Sequence, residues 1–283
     1  MRKAFIVVFL LCSLISQGQN TTAGSKIVGS IGGTINVSSL GGAVYSIPLE
    51  LPDGVNGMKP SINIVYNSQG GNGLLGYGWD INGISSITRT GSTLYHNGKK
   101  SAADLSTDDN FVLDGNRLVH VGTSGNDEEF KTENDEFSKV VFHKENGYYS
   151  NCDVWMENGN VIKYGYTLNS KLMASDGNNV IKWMVSSIED RNGNTISYTY
   201  EPQVTSSDIY ISQISYTSNA MAPLSPEFTV AFTYSNNRFD PYHYYIAGNK
   251  VETKKLLSRI DVLRLSYSIE SYDFSYDSCR SIR

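Results

Sequence analysis

The sequence predicts an all-β protein built from antiparallel hairpins. Three observations carry that prediction. Apolar and polar residues alternate in segment after segment, which puts one strand face on a core and the other in water. Asn-Gly or Asp-Gly occurs ten times, at Asp53-Gly54, Asn56-Gly57, Asn72-Gly73, Asn82-Gly83, Asn97-Gly98, Asp114-Gly115, Asn146-Gly147, Asn158-Gly159, Asp176-Gly177 and Asn192-Gly193. Such dipeptides accept the positive φ angles of two-residue hairpin turns. Helical periodicity is nearly absent beyond the first twenty residues.

In chain order, the opening "MRKAFIVVFLLCSLISQGQN" has a basic start at Arg2 and Lys3, an apolar run from Ala4 to Ile15, and small residues at Ser16 and Gly18. The run is too short to span a bilayer, so residues 1–18 are read as a cleaved secretory signal peptide. Residues 19–43, rich in Gly, Ser and Thr, are read as a flexible arm with one short strand at Thr34–Val37. Residues 44–283 form one all-β domain. Within it "SINIVYNS" (61–68) and "ISSITRT" are strands, whereas 101–136 is the most polar stretch and is expected to be rich in loops. Ile162, Tyr164, Tyr166 and Leu168 are placed on one strand face, as are Ile196, Tyr198 and Tyr200, then Phe228, Val230, Phe232 and Tyr234, and finally Tyr272, Phe274 and Tyr276. Lys254–Leu265 alternates as well as it cycles and is read as a strand. The pattern NGN-x-I-x-Y-x-Y occurs at 158–166 and again 34 residues later at 192–200. Repeated hairpins of this kind suggest a sheet that grows by accretion.

Composition narrows the function. The chain has 283 residues with 23 basic and 28 acidic ones, and the signal peptide removes two basic residues and no acidic one. An acidic mature protein without basic blocks argues against nucleic acid as a partner. No later segment is apolar enough to span a membrane, so the mature protein is expected outside the cell or at its surface. Tyr outnumbers Phe by 19 to 10, which suits strands with one packed and one wet face. Cys152 and Cys279 survive processing. Export permits a disulfide between them, but two buried thiols are equally compatible with the sequence.

Candidate chemistry is sparse. Gly71–Gly76 reads GNGLLG and matches the GxGxxG dinucleotide pattern, yet no helix follows and no acid stands about twenty residues on. The glycines are therefore assigned to a tight bend that lets Trp79 lie on backbone. Asp104, Asp108, Asp109 and Asp114 lack the register of an EF-hand loop, and turn roles are preferred to calcium. His96, His120, His143 and His243 are widely spaced and show no metal-binding pattern. Gly122-Thr123-Ser124-Gly125 falls one residue short of a nucleophile elbow and is read as a turn. No catalytic, cofactor or metal residue is assigned.

The segment 45–91, "YSIPLELPDGVNGMKPSINIVYNSQGGNGLLGYGWDINGISSITRTG", resembles the opening of the SpvB-like N-terminal domain. That domain begins virulence-plasmid B proteins of the Salmonella type, Tc toxin B components and many Rhs (YD-repeat) proteins of the Bacteroidetes. The matching residues include Tyr45, Pro48, Pro52, Gly54, Pro60, Gly73, Gly76, Gly78, Trp79 and Arg89, with Met58 where Leu is usual. "DDNFVLDGNRL" (108–118) and "WMVSSIEDRNGNTISYTYE" (183–201) resemble later family segments, the second through Asp190, Gly193 and Asn194. The resemblance implies a twisted β-shell around a C-terminal effector, with the enzymatic work in other domains. The partners it implies are downstream shell segments or a toxin-complex protein; with its strand edges unclosed, an isolated chain is expected to self-associate or to be only marginally stable. The sequence stops at "DSCRSIR" where the family would continue, so a fragmentary member is expected. Two other classes remain open: a stand-alone module binding glycan or protein through tyrosine-rich faces, and a secreted hydrolase with two carboxylates in a cleft.

Overall fold

The computed structural model describes residues 32–134, 138–203, 208–222 and 224–276. The stretch read as a signal peptide, most of the stretch read as an arm, and Cys279 lie outside the described residues. Gly33–Arg283 is one compact unit.

The fold is antiparallel β throughout, as expected, and it has two parts that differ in how they treat their edges. In the first, the strands Ser86–Thr90, Asn110–Leu113, Asn116–Ser124, Asp127–Thr132, Lys139–Glu145, Tyr148–Trp155 and Val161–Tyr164 pair in sequence order, and the long strand Val180–Glu189 closes on both ends of the series. Lys182 and Met184 register with Thr88 and Ser86, and Ile188 and Ser187 with Ile162 and Lys163. The result is a closed ring, which leaves no unpaired edge among these strands. Its lumen is filled by Ile87, Phe111, Leu118, Phe130, Phe142 and Trp183, all nearly or wholly buried. Ring centroids lie 4.6 Å apart for Phe111 and Phe142 and 5.2 Å for Phe142 and Trp183, so an interlocked aromatic stack forms the core.

In the second part the sheet runs on from Val180–Glu189 through Asn194–Tyr200, Ile211–Asn219, Phe228–Ser235 and Leu256–Arg264 to a final strand, Tyr267–Asp273. This is an open leaf. A separate sheet of Thr34–Val37, Ala43–Pro48, Asn63–Asn67 and Trp79–Asn82 accompanies it, and Tyr242–Ile246 pairs with Asn249–Thr253 as an isolated hairpin. The expected short strand at Thr34–Val37 is present, fully exposed and paired on one side only.

The repeat explains how ring and leaf join. Its two outgoing strands flank the same residues: Ile188 registers with Ile162 on one side and Ile196 on the other. The leaf alternates as the sequence predicts, with Ile196, Tyr198 and Tyr200 buried. In the other copy the strand stops at Tyr164. Gly165 turns the chain with φ +69, Thr167 caps the short 3-10 helix Leu168–Ser170, and Leu168 is exposed. The expected four-residue face therefore ends early.

Two further expectations change. Residues 101–136 are not mainly loop, because Asn110–Leu113, Asn116–Ser124 and Asp127–Thr132 are ring strands. Their polar character belongs to cross-strand pairing: Asp127 meets His143 at 2.9 Å, Glu129 meets Lys139 at 2.8 Å, and Glu128 is bound by Lys144. Opposite charges facing each other across strands hold a polar sequence in the sheet. Gly122–Ser124 accordingly lies in strand, and the turn begins at Gly125. The Asn-Gly and Asp-Gly dipeptides also divide. Asp114-Gly115 and Asn146-Gly147 are two-residue hairpin corners with both φ angles positive. Asn158-Gly159, Asp176-Gly177 and Asn192-Gly193 sit in longer hairpin loops, while Asn97-Gly98 ends the short helix Leu94–Asn97.

Candidate functional site

The residues that carry the family resemblance do not converge on one cleft. They gather in three places, and each place is a joint.

The first joint straps the separate sheet to the leaf. Pro48 ends the strand Ala43–Pro48, and the extended segment after it buries Leu49 and Leu51. Tyr216 donates its phenol to the Pro52 carbonyl at 3.1 Å, and the Glu50 amide donates to the Tyr272 hydroxyl at 3.2 Å. Burial pushes both phenols up to about 12. Gly54 folds against the Met58 carbonyl with no room for a side chain, and Pro60 is buried beyond it.

The glycine-tryptophan block makes a hook. Asn72-Gly73 pairs with Gly76-Tyr77 in a minimal hairpin. The Leu74 carbonyl accepts the Leu257 amide at 2.9 Å. Arg238, its side chain fully buried, donates Nη1 to the Gly73 carbonyl at 2.9 Å and to the Lys255 carbonyl at 3.3 Å. A Cβ on Gly73 would run into the Trp79 carbonyl and the Asp80 side chain, and one on Gly78 would stand 2.7 Å from the Tyr66 ring. Trp79 rests beside Tyr66 at 5.1 Å and Tyr45 at 6.5 Å between centroids. The GxGxxG match is thus a loop gripped by the protein's own strands. The next element is the strand Trp79–Asn82 rather than the helix a pyrophosphate needs.

Arg89 occupies the second place, inside the ring. It pairs with Asp109 at 3.1 Å, with side-chain exposures of only 1% and 3%. Its Nε donates to the Val180 carbonyl at 2.8 Å. The guanidinium lies 5.4 Å from the ring centroids of Phe111 and Tyr149 and 5.8 Å from that of Trp183. Asp109 also accepts the amides of Asp104 and Leu105. A buried charge is tolerable only when paired and hydrogen-bonded on every side, and this one is.

The third place is the turn that launches the leaf. Asp190 accepts the amides of Asn192 and Asn194 at 2.8 and 2.9 Å and the Asn194 side-chain amide at 2.8 Å. Burial opposes the charge, but the bonds from Asn194 outweigh it and hold the Asp190 carboxyl below its usual range. Gly193 turns the chain with φ +79, and Asn219 ties Asn194 to the next strand at 3.0 Å.

The other candidates serve local structure. Asp108 meets Lys99 on the surface, Asp114 accepts Ser85 and Ser86 beneath a hairpin corner, and Asp104 caps its own loop. Among the described residues no group of three or more His, Cys, Asp or Glu could hold a metal ion. His96 bridges Thr93 and Glu133. His143 lies between Asp127 at 2.9 Å and Asp153 at 3.2 Å. Burial opposes its charge, but these two bonds prevail and raise its pKa. Cys152 is a buried free thiol, pushed well up by burial. Sequence reading missed Arg238, Tyr216 and Tyr272 because each acts more than 150 residues from its partner. Asp109 could have been suspected from the buried Arg89 it must neutralise.

This closed ring, open leaf and strapped sheet recur in solved structures, where the chain spans about a seventh of the toxin-complex chains it matches. The chain superposes on the crystal structure of TcdB2-TccC3 with a TM-score of 0.69 and 17% identity, over 84% of this chain and 14% of that one. It matches the N-terminal domain of effector protein SpvB from Salmonella typhimurium strain LT2 with a TM-score of 0.63 and 20% identity, over 77% of this chain and 87% of that domain. The Photorhabdus luminescens Tc holotoxin pore matches with a TM-score of 0.66 and 17% identity, over 83% and 14% respectively. The family described as Salmonella virulence plasmid 65kDa B protein matches residues 37–211, and the chain belongs to that family. No curated protein sequence matches. No helix among the described residues is long and apolar enough to cross a membrane.

Proposed function

We propose that this chain is a non-catalytic wall segment of a secreted or surface-held toxin-like β-shell. It would enclose or present a C-terminal effector, and its partners would be further shell strands or a toxin-complex protein. The observation that carries the reading is the contrast in edges. Among the described residues the ring hides all of its strand edges, while the leaf ends on Tyr267–Asp273 and the strapped sheet on Thr34–Val37, each paired there on one side only. Tyr267 is 79% exposed and Ile269 50%, with Ile35 and Val37 above 70%. Apolar, half-paired edge strands are surfaces that ask for another strand. The placement of Tyr149, Tyr164, Tyr198, Tyr200, Tyr210 and Tyr216 in the core supports a wall over a tyrosine-lined binding face.

Size-exclusion chromatography with light scattering on the mature chain tests this. Concentration-dependent association is expected, and Ile269→Lys with Tyr267→Lys should reduce it. A monomer that stays clean at high concentration and survives heating would sink the proposal.

A further inference from the structure

A groove of about 470 Å³ lies between the strap and the open edge of the leaf. Leu49, Glu50, Leu51 and Pro52 line it from the strap, Ile269 and Glu270 from the edge strand, and Lys59 is the one basic side chain in it. Register explains how the edge strand reaches in. Glu270 and Tyr272 pair with Val262 and Ile260 and so share the core face of the leaf. The register then shifts, leaving Ile269 as an extra residue between Ser268 and Glu270. A bulge re-aims a side chain, and Ile269 lines the groove beside Glu270 while half exposed.

The two faces of this edge balance their charges differently. On the outer face Arg259 meets Asp273 at 3.0 Å and Asp261 at 2.7 Å. On the groove side neither Glu50 nor Glu270 has a basic partner among the described residues. The Tyr272 hydroxyl accepts the Glu50 amide at 3.2 Å and is hydrogen-bonded to the Glu270 carboxylate, but a phenol brings no charge. Lys59 is committed to Asp53 at 2.7 Å and to the Leu51 carbonyl at 3.2 Å. Two carboxylates in excess therefore stand beside a row of unpaired backbone groups. A second copy of the chain does not supply the missing charge. Its other open edge, Thr34–Val37, reads TINV and is uncharged, and a second Tyr267–Asp273 strand would bring more acid.

We propose that the strand received by Tyr267–Asp273 is a basic strand of a partner protein, with Lys or Arg on the side chains turned into the groove. This rests on the wall reading above and names the chemistry of its partner. Backbone pairing supplies the attachment, and charge complementarity beside the edge selects the sequence.

Fluorescence anisotropy tests it, with the full chain titrated at low salt against short labelled peptides. One peptide alternates Lys and Val. Two others replace every Lys by Gln or by Glu, and a fourth is the Lys peptide with a central Pro, which cannot pair as a strand. The Lys peptide should bind about fivefold tighter than the Gln peptide, the gain that two partly exposed charge pairs supply, and the Glu peptide should bind most weakly. Glu50→Gln with Glu270→Gln should erase that preference while leaving the circular dichroism spectrum and the affinity for the Gln peptide unchanged. A preference that survives the double substitution belongs to the overall acidity of the chain and overturns the proposal. So does a Pro peptide that binds as well as its parent. Equal binding of the three unbroken peptides overturns the basic partner but leaves the wall reading standing. Binding of none at millimolar concentration overturns the proposal, and the self-association of the chain then decides the wall reading separately.

Discussion

The ring and the leaf are made from the same kind of strand and solve opposite problems. In the ring, closure satisfies every strand edge, and the remaining difficulty is to fill a lumen. Aromatic rings fill much of it, and a buried ion pair, Arg89 with Asp109, sits among them. In the leaf the core is a plain packed face of Ile214, Tyr216, Val230, Ile260 and Val262, and the difficulty is the edge. Its inner edge is paired to the ring strand Val180–Glu189, straps and a hook from the separate sheet hold its strands through Tyr216, Tyr272 and Leu257, and among the described residues its outer edge is left open. The lesson is that stability and availability have been separated: the closed half has nothing left to pair with, and the open half keeps its pairing groups for a partner.

Substitutions can break this division in order of size. The largest effect should come from Arg89→Ala, which leaves Asp109 buried without its charge partner. A loss of about 3–5 kcal/mol is expected, read by urea unfolding. Replacing the pair together, with Arg89→Met and Asp109→Leu, should recover most of it. If Arg89→Ala costs under 1 kcal/mol, the lumen is not the dry core described. Next, Trp79→Ala removes a half-buried ring from the hook and should cost roughly 2–3 kcal/mol. Limited proteolysis should then cut the 70–82 region while the ring strands resist; cleavage in the ring first would show that the halves are not separable.

A smaller effect, of opposite sign, is expected at the hairpin corner before the last strand. Leu265 and Ser266 both hold positive φ, +47 and +75, where Asn-Gly would be at ease. Leu265→Asn with Ser266→Gly should stabilise the leaf by about 1 kcal/mol, seen as a higher Tm. The smallest effect is in the ring wall at His143. Its folded pKa is raised, so its contribution is complete below the unfolded value and fades as pH rises through the folded one. Stability should therefore decline from pH 6 towards pH 8, and His143→Gln should flatten that slope. A slope unchanged by the substitution would remove His143 as its cause.

Much of the fold was legible. Alternation located Asn194–Tyr200, Phe228–Ser235 and Leu256–Arg264 because a half-buried strand imposes a period of two on its own residues. The repeat announced two equivalent strands, but not that both would flank Ile188. The polar ring strands from Asn110 to Thr132 were not legible, because their charges are matched by Lys139, His143 and Lys144 on a neighbouring strand. The signature residues could be picked out, yet their distribution over three joints could not. Arg238, which grips the hook, has no local mark at all.

The amino-acid sequence by itself determined what each segment can do alone: extend, alternate and turn at Gly. Only the tertiary structure decided that Val180–Glu189 would meet both ends of a series of strands and close it. Local patterns reflect neighbours a few residues away, while closure depends on register between strands nearly a hundred residues apart, such as Trp183 against Ile87. The same reason places Arg89 in the lumen and leaves Tyr267–Asp273 at an open edge.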